Sequence, residues 1–367
     1  MLYNQIKNIL PRFQFEGQYQ SASECTSGNV NSTYRLVYQD GARERHYVLQ
    51  RVNSFVFKEP RQVMRNIALV TDHLRSSMEL QGEPTEGRVL QLIPTKYGDV
   101  LYEDSTGGFW RAYNFIENAT AHDTVDSPAL MREVGRGFGA FQRLLSDFPA
   151  DQLFASIPNF HHTIKRFYAF VHSVDEDAAG RVKEVENEIE FFFDRRKMMG
   201  SIVRLLDRGD LPLRVTHNDT KSNNVMVDNE TGKAVCVIDL DTVMPGSALY
   251  DYGDAVRFGA STAAEDEPDT SKIALDMEKT HAFTQGFVEE TNGFLTRREI
   301  ELLPLGIKVL TCELAMRFLK DYIDGDVYFR VNSPKHNLIR ARAQMALLQD
   351  VEKKESALNA MIRDMID

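Results

Sequence analysis

The chain has 367 residues, more than one compact core usually holds, so two or more domains or lobes are expected. Hydrophobic residues at 43% and charged residues at 26% exclude long disorder. A formal net charge of −11 excludes a general binder of nucleic acid or anionic membrane, while leaving room for a local basic pocket. The three cysteines (Cys25, Cys236 and Cys312) are odd in number and far apart, so they read as buried thiols in a reducing cytoplasm. No secretory signal is visible at the start, and no stretch approaches the ~20 apolar residues that span a bilayer. A cytoplasmic chain, monomeric or weakly dimeric and without nucleic-acid or membrane partners, is the expectation.

The first third reads as β-rich. Tyr34–Tyr38 and Tyr47–Val52 have strand character and are joined by the turn Gln39-Asp40-Gly41. Val63, Ile67, Val70 and Leu74 then recur at helical spacing within 61–78. Strands follow near 89–92 and 100–102, and a third over 109–116, giving five strands and one helix. Beyond Glu117 the pattern turns helical over 130–148, 182–206, 273–290, 297–324 and 334–364. The composition changes near Glu117 to Asp123, so the boundary is set at 1–117 and 118–367. The acidic run Glu265-Asp266-Glu267 reads as a solvated loop.

The segment Arg214 to Asn224 carries the chemistry. His217-Asn218-Asp219 followed by Thr220-Lys221-Ser222-Asn223-Asn224 places an Asn five residues after an Asp, the spacing of a kinase catalytic loop. Phosphoryl transfer needs a carboxylate beside the attacking hydroxyl, which Asp219 supplies, and oxygen ligands for Mg²⁺, one of which the Asn224 amide supplies. Two short apolar runs, 224–228 and 234–239, flank a Gly-containing connection and read as a β-hairpin. If Asp228 pairs with Ala234, Asn224 and Asp239 meet at its open end as a metal pair. Turn-capping is the competing reading for an isolated Asp and Asn. The order of loop, hairpin and terminal Asp argues against it.

The runs His217–Asn224 and Val237–Gly246 resemble the aminoglycoside phosphotransferase and choline kinase superfamily. Tyr47–Asn53, Asp251–Gly259 and Met316–Asp326 are similar to bacterial N-acetylhexosamine 1-kinases, and together these stretches span about residues 20 to 330. The resemblance implies an α+β, bilobal, protein-kinase-like fold: a small antiparallel sheet lobe, a larger helical lobe, and ATP in the cleft. It makes Asp219 the base, Asn224 and Asp239 the Mg²⁺ ligands, and the anomeric hydroxyl of a small-molecule sugar the acceptor. It also makes Asp251, Asp254 and His217 braces of the catalytic loop.

The nucleotide side departs from the superfamily pattern. The loop before Tyr34 has one glycine, with Ser27, Asn29 and Ser32 as phosphate contacts or as members of an ordinary loop. The strand that should carry a phosphate-binding lysine reads Val48-Leu49-Gln50-Arg51, so either Gln50 or Arg51 takes its place, and strand alternation allows only one to face the site. Asn114 and Ile116 belong to the segment that meets adenine by the resemblance. Lys221 either neutralises the transferring phosphoryl group or faces solvent.

Acceptor candidates are Arg317, Tyr328, Arg257, His161 and His162, since a neutral sugar needs directional polar groups over an aromatic or apolar face. Arg317 lies in the apolar run Leu310–Phe318, where a buried charge requires a partner. His162 either reaches the acceptor or caps the helix that follows. Other small alcohols (an aminoglycoside, choline, homoserine or methylthioribose) remain open as acceptors. The missing lysine also leaves open an inactive kinase-like binding module. A protein kinase is excluded by the absence of its activation-loop signature.

Overall fold

The computed structural model describes residues 2–25, 30–291 and 293–366. They fall into two units: 1–120 with 147–157 and 226–244, and 121–146 with 158–225 and 245–367. In chain order the elements begin α1 (Leu2–Ile9), β1 (Gln18–Cys25), β2 (Ser32–Asp40), β3 (Arg43–Val52), α2 (Pro60–Leu80), β4 (Tyr102–Glu103), β5 (Phe109–Asn114) and β6 (Ala119–Ala121). They continue with α3 (Pro128–Leu144), α4 (Thr163–Glu176), α5 (Glu186–Met199), α6 (Ser201–Asp207), β7 (Arg214–Thr216), β8 (Val225–Asp228), β9 (Ala234–Val237) and β10 (Met244–Gly246). The last are α7 (Ala248–Gly259), α8 (Met277–Thr291), α9 (Arg297–Glu301), α10 (Leu303–Ile323), α11 (His336–Lys353) and α12 (Glu355–Ile366). The fold is α+β, with an antiparallel sheet in the N-terminal part and a helical C-terminal part.

In the first unit, alternation builds the sheet in the order β1-β2-β3-β5-β4. Tyr34, Leu36 and Tyr38 of β2, Tyr47 and Leu49 of β3, and Trp110 and Ala112 of β5 bury one face, against Ile6 and Ile9 of α1. Gly41, with φ 60, makes the β2–β3 turn as expected. The fifth strand is β1, not the expected 89–92. No residue of β1 is buried, so its sequence QYQSASEC carries no apolar alternation to read. Segment 89–92 makes only a bridge from Leu92 to Tyr113, and Pro94 soon after it lacks the N–H that a longer ladder needs.

The expected boundary at Glu117 treats the rest of the chain as one piece, whereas 226–244 folds with the first unit. The cause is hydrogen bonding: β8 and β9 join β6 in a three-stranded sheet in the order β6-β8-β9, and Asn66 of α2 donates its side-chain amide to the Val243 carbonyl at 3.1 Å. The hairpin has the expected strands, and the Asp228 amide closes it on the Lys233 carbonyl at 2.8 Å.

The second unit is built around α10, nearly all of whose length is buried. The long expected helices are broken for local reasons: Gly200 separates α5 from α6, and Pro304 at the first turn of α10 separates it from α9. A capping box joins Thr296 and Glu299 at the start of α9. Among the described residues no helix is long and apolar enough to cross a membrane. Cys236 and Cys312 are buried, and burial pushes the Cys236 thiol up to about 12.

Helices α7 and α10 touch backbone to backbone: a Cβ on Gly253 would collide with the Gly306 carbonyl, and one on Gly306 with the Leu249 carbonyl. Gly253→Ala should therefore destabilise the fold by about 1–3 kcal/mol, the usual cost of overpacking, read as a lower midpoint in chemical denaturation. An unchanged midpoint would show that the helices can separate without loss.

Candidate active site

The loop that carries Asp219 follows β7 and hangs from one carboxylate. Asp251, 1% exposed on α7, accepts the amide hydrogens of His217 (2.9 Å) and Asn218 (2.8 Å) and the side-chain amide of Gln142 (2.7 Å). Burial pushes its carboxyl pKa up, opposed by these bonds and by His217. The next acid on the same helix face, Asp254, accepts the Thr220 amide at 2.9 Å, and the Thr220 hydroxyl donates to the Asp251 carbonyl at 2.6 Å. Burial works against the Asp254 charge, but Arg257 and Lys221 outweigh it and hold the carboxyl below its ordinary value.

These braces let Asn218 adopt the left-handed φ of 65°, stabilised further by reciprocal bonds between its amide group and Thr216. The His217 ring packs edge-on to Phe138 and Phe141, and its Nδ1 accepts the Asp219 amide at 3.3 Å. Asp251, Asp254 and His217 thus act as the expected braces.

Asp219 emerges partly exposed, with its carboxylate 2.9 Å from the Lys221 ammonium. That carboxylate holds the Lys221 pKa above its ordinary value, so the ammonium stays charged at neutral pH. Asn224 is 6% exposed and donates its amide to the Asp219 carbonyl at 2.8 Å. The bond leaves the amide oxygen as the atom directed elsewhere, which suits a hard cation.

In the first unit, Asp239 stands two residues after β9, in a left-handed conformation (φ 59°) entering a 3₁₀ turn over Leu240–Thr242. Among the nucleotide-side candidates, Ser27 and Asn29 lie outside the described residues. Ser32 is exposed at the start of β2, opposite Arg51. Gln50 and Arg51 point to opposite faces: Arg51 lies over the Trp110 ring (5.9 Å), while Gln50 accepts from Arg111 Nε at 2.9 Å. Asn114 and Phe115 engage their backbone N–H groups with Gln91 (2.9 Å) and His46 (3.2 Å), so of the expected adenine-side pair Asn114 has no amide hydrogen to offer and the buried Ile116 is the better placed.

Most of the acceptor candidates gather in the second unit. Arg317 on α10 is 14% exposed, and its guanidinium lies over the rings of Phe160 (5.4 Å), Tyr328 (5.9 Å) and Phe329 (5.4 Å). Its charge partner is Glu313, one turn earlier at 4.0 Å, which also meets Arg166 (3.4 Å) and His161 Nδ1 (3.1 Å). These partners outweigh burial and hold the Glu313 carboxyl below its ordinary range. Burial and the like charge of Arg317 push Arg166 down to about 10. The other His161 nitrogen lies 3.3 Å from the Asn218 carbonyl, so a chain of polar contacts runs from Arg317 to the residue before Asp219.

Tyr328 is half exposed. Its loop is fixed by Asp321, which accepts the amides of Val327, Tyr328 and Phe329 at 3.0, 2.8 and 2.9 Å. Arg257, 3% exposed, is bound by Asp254 (2.7 Å) and Glu265 (3.0 Å), which places it in the brace and not among the aromatic rings. His162 caps α4, its Nδ1 accepting the Lys165 amide at 3.4 Å. The acidic loop is not simply solvated as expected, because Arg257 and His336 draw in Glu265 and Asp266.

Glu313, Arg166 and Asp321 escaped the sequence reading. Glu313 alone had a local signal, an acid one turn before Arg317 on an apolar helix. Asp251→Ala would orphan two buried backbone donors at about 1–3 kcal/mol each, and Asp251→Asn, which keeps one acceptor oxygen, should cost less. Urea denaturation of the two variants checks that order, and equal losses would mean that Asp251 does not hold the loop.

Known proteins share this fold. The model of the APH phosphotransferase enzyme family matches residues 21–282. A choline kinase from Cryptosporidium parvum superposes with a TM-score of 0.60 at 12% identity, over 99% of both chains. An aminoglycoside phosphotransferase from Alicyclobacillus acidocaldarius gives 0.59 at 13% identity, over 98% of this chain and 96% of that one. A spectinomycin phosphotransferase in complex with ADP and spectinomycin gives 0.52 at 13%, over 94% and 98%. The chain belongs to the APH phosphotransferase enzyme family, and the solved structures of that fold match it over nearly its whole length.

Proposed function

We propose that the protein phosphorylates the anomeric hydroxyl of an N-acetylhexosamine, with ATP as donor. The observation that carries the acceptor class is the cluster around Arg317: a guanidinium framed by three aromatic rings and joined through Glu313 and His161 to the backbone beside Asp219. Aromatic faces suit the apolar face of a pyranose ring, and a fixed guanidinium suits a hydroxyl or acetamido oxygen. ATP as donor is supported by the ADP-bound spectinomycin phosphotransferase with the same fold.

In this reading the acceptor oxygen forms a bond to the γ-phosphorus while the bond to the β,γ-bridging oxygen breaks, and ADP leaves with that electron pair. The hydroxyl proton passes to the Asp219 carboxylate, which Lys221 holds in place at 2.9 Å. Lys221 also carries a fixed positive charge beside the reacting groups. Asn224 and Asp239 are the residues that would hold Mg²⁺, both being hard oxygen donors. When bound, Mg²⁺ offsets charge on the transferring phosphates.

Replacing Asp219 with Asn should lower kcat by at least ~10²-fold, the lower range for loss of a general base, with ATP affinity little changed. Full activity in a folded Asp219→Asn protein would remove the assignment. The acceptor is tested by ATP consumption with Mg²⁺ across free sugars, choline and aminoglycosides, with phosphorus NMR of the product. An anomeric phosphate on an N-acetylhexosamine is the expected result, and turnover on another alcohol alone would reject the sugar.

A further inference from the structure

The chain lacks a lysine on β3, yet a buried cation sits beside the same position. Gln50 of β3 and Arg111 of β5 are register partners, and the Gln50 amide oxygen accepts from Arg111 Nε at 2.9 Å. The Gln50 amide nitrogen is anchored in turn on the Thr33 hydroxyl at 3.0 Å. The Arg111 guanidinium takes Asp241 in a two-pronged grip, with both NH1 to Oδ1 and NH2 to Oδ2 (2.9 Å) engaged. Arg111 is 1% exposed and Asp241 3%, so neither can serve as a direct contact for a large solvent-borne ligand.

The Asp241 carboxylate has a third partner. The Asn31 side-chain amide donates to Oδ2 at 2.7 Å, and its Oδ1 accepts the Asn53 backbone N–H at 2.9 Å. One carboxylate therefore ties β5, the approach to β2 and the end of β3 to the 3₁₀ turn Leu240–Thr242. That turn begins at Asp239, whose left-handed backbone needs support from its surroundings. The charge of Asp239 is close enough to act on Arg111.

We propose that the Arg111–Asp241 pair is a positioning device, which fixes the direction of the Asp239 carboxylate and replaces the ordering role of the absent β3 lysine. This rests on the reading of Asp239 as a Mg²⁺ ligand. A bidentate guanidinium–carboxylate pair holds both angle and distance, where one ammonium would hold distance alone. Outer-shell partners of metal ligands usually set affinity by about 10- to 100-fold, which is the size of effect expected here.

The test measures Mn²⁺ binding to the full-length protein by electron paramagnetic resonance, with a non-hydrolysable ATP analogue present, so that turnover is not the readout. Asp241→Asn should weaken Mn²⁺ about 10- to 100-fold, with affinity for the metal-free analogue unchanged. Arg111→Lys keeps the buried charge and loses the fork, so a fall there reports geometry and not net charge. Wild-type Mn²⁺ affinity in folded Arg111→Lys overturns the proposal, as it does in folded Asp241→Asn. If Asp241→Asn does not fold, by circular dichroism, Arg111→Lys decides alone. Asp239→Ala separates the two readings: unchanged Mn²⁺ affinity there removes the metal role of Asp239 itself, and lost affinity there with none lost in Arg111→Lys removes only the positioning role.

Discussion

The acceptance of two consecutive backbone N–H groups by the Asp251 carboxylate is the constraint on which the loop carrying Asp219 depends. A loop that turns through a left-handed residue cannot satisfy its own amides, and at this depth water does not reach them. Asp251 and Asp254 lie three residues apart on α7, so one helix face presents two acceptors at a fixed spacing. The helix is itself fixed by the glycine contact between α7 and α10, which leaves no freedom for the acceptors to drift. The position of Asp219 is thus inherited from helix packing and not from the loop's own sequence.

The same device recurs elsewhere in the second unit. Asp321 gathers three successive amides of the loop that presents Tyr328 and Phe329. In each case a buried carboxylate, costly when unpaired, becomes stable by collecting donors that the loop cannot otherwise satisfy. Asp219 and Tyr328 then project from loops whose backbone amides are satisfied by a buried carboxylate. The Arg111–Asp241 pair in the first unit adds a full counter-charge to this pattern, since Asp241 collects side-chain donors from different parts of the chain.

The part of the site legible in the sequence was the part set by spacing. The spacing makes Asp219 and Asn224 candidates, five positions apart, and Asp239 a candidate because it follows the apolar strand β9. The strands β2, β3 and β5 were legible from alternation, and β1 was not, since an edge strand with no buried residue has nothing apolar to alternate. Arg111 was hidden for a different reason. Alternation gives the face on which a side chain lies, but Asp241 is 130 residues away, and only the ladder register sets Gln50 beside Arg111. The breaks at Gly200 and Pro304 were visible as residues, yet the long apolar periodicity on either side of them outweighed one helix breaker in each stretch.

Within the proposed function, charge in the cluster around Arg317 argues for a class of acceptor more strongly than its shape does. Arg166, even pushed down to about 10, is a cation at neutral pH, and it shares the Glu313 carboxylate with Arg317. A second cation brought among the rings of Phe160, Tyr328 and Phe329 would meet two guanidiniums, and the like-charge cost rises as water leaves. Choline recognition uses aromatic rings without such company, because there the ligand is itself the cation. Here the protein already places its own cation over the rings, so that role is filled. Under the proposed function, what remains for the ligand is to present oxygen acceptors to a guanidinium and an apolar face to the aromatics, which suits a neutral sugar better than a quaternary ammonium or a polyamine.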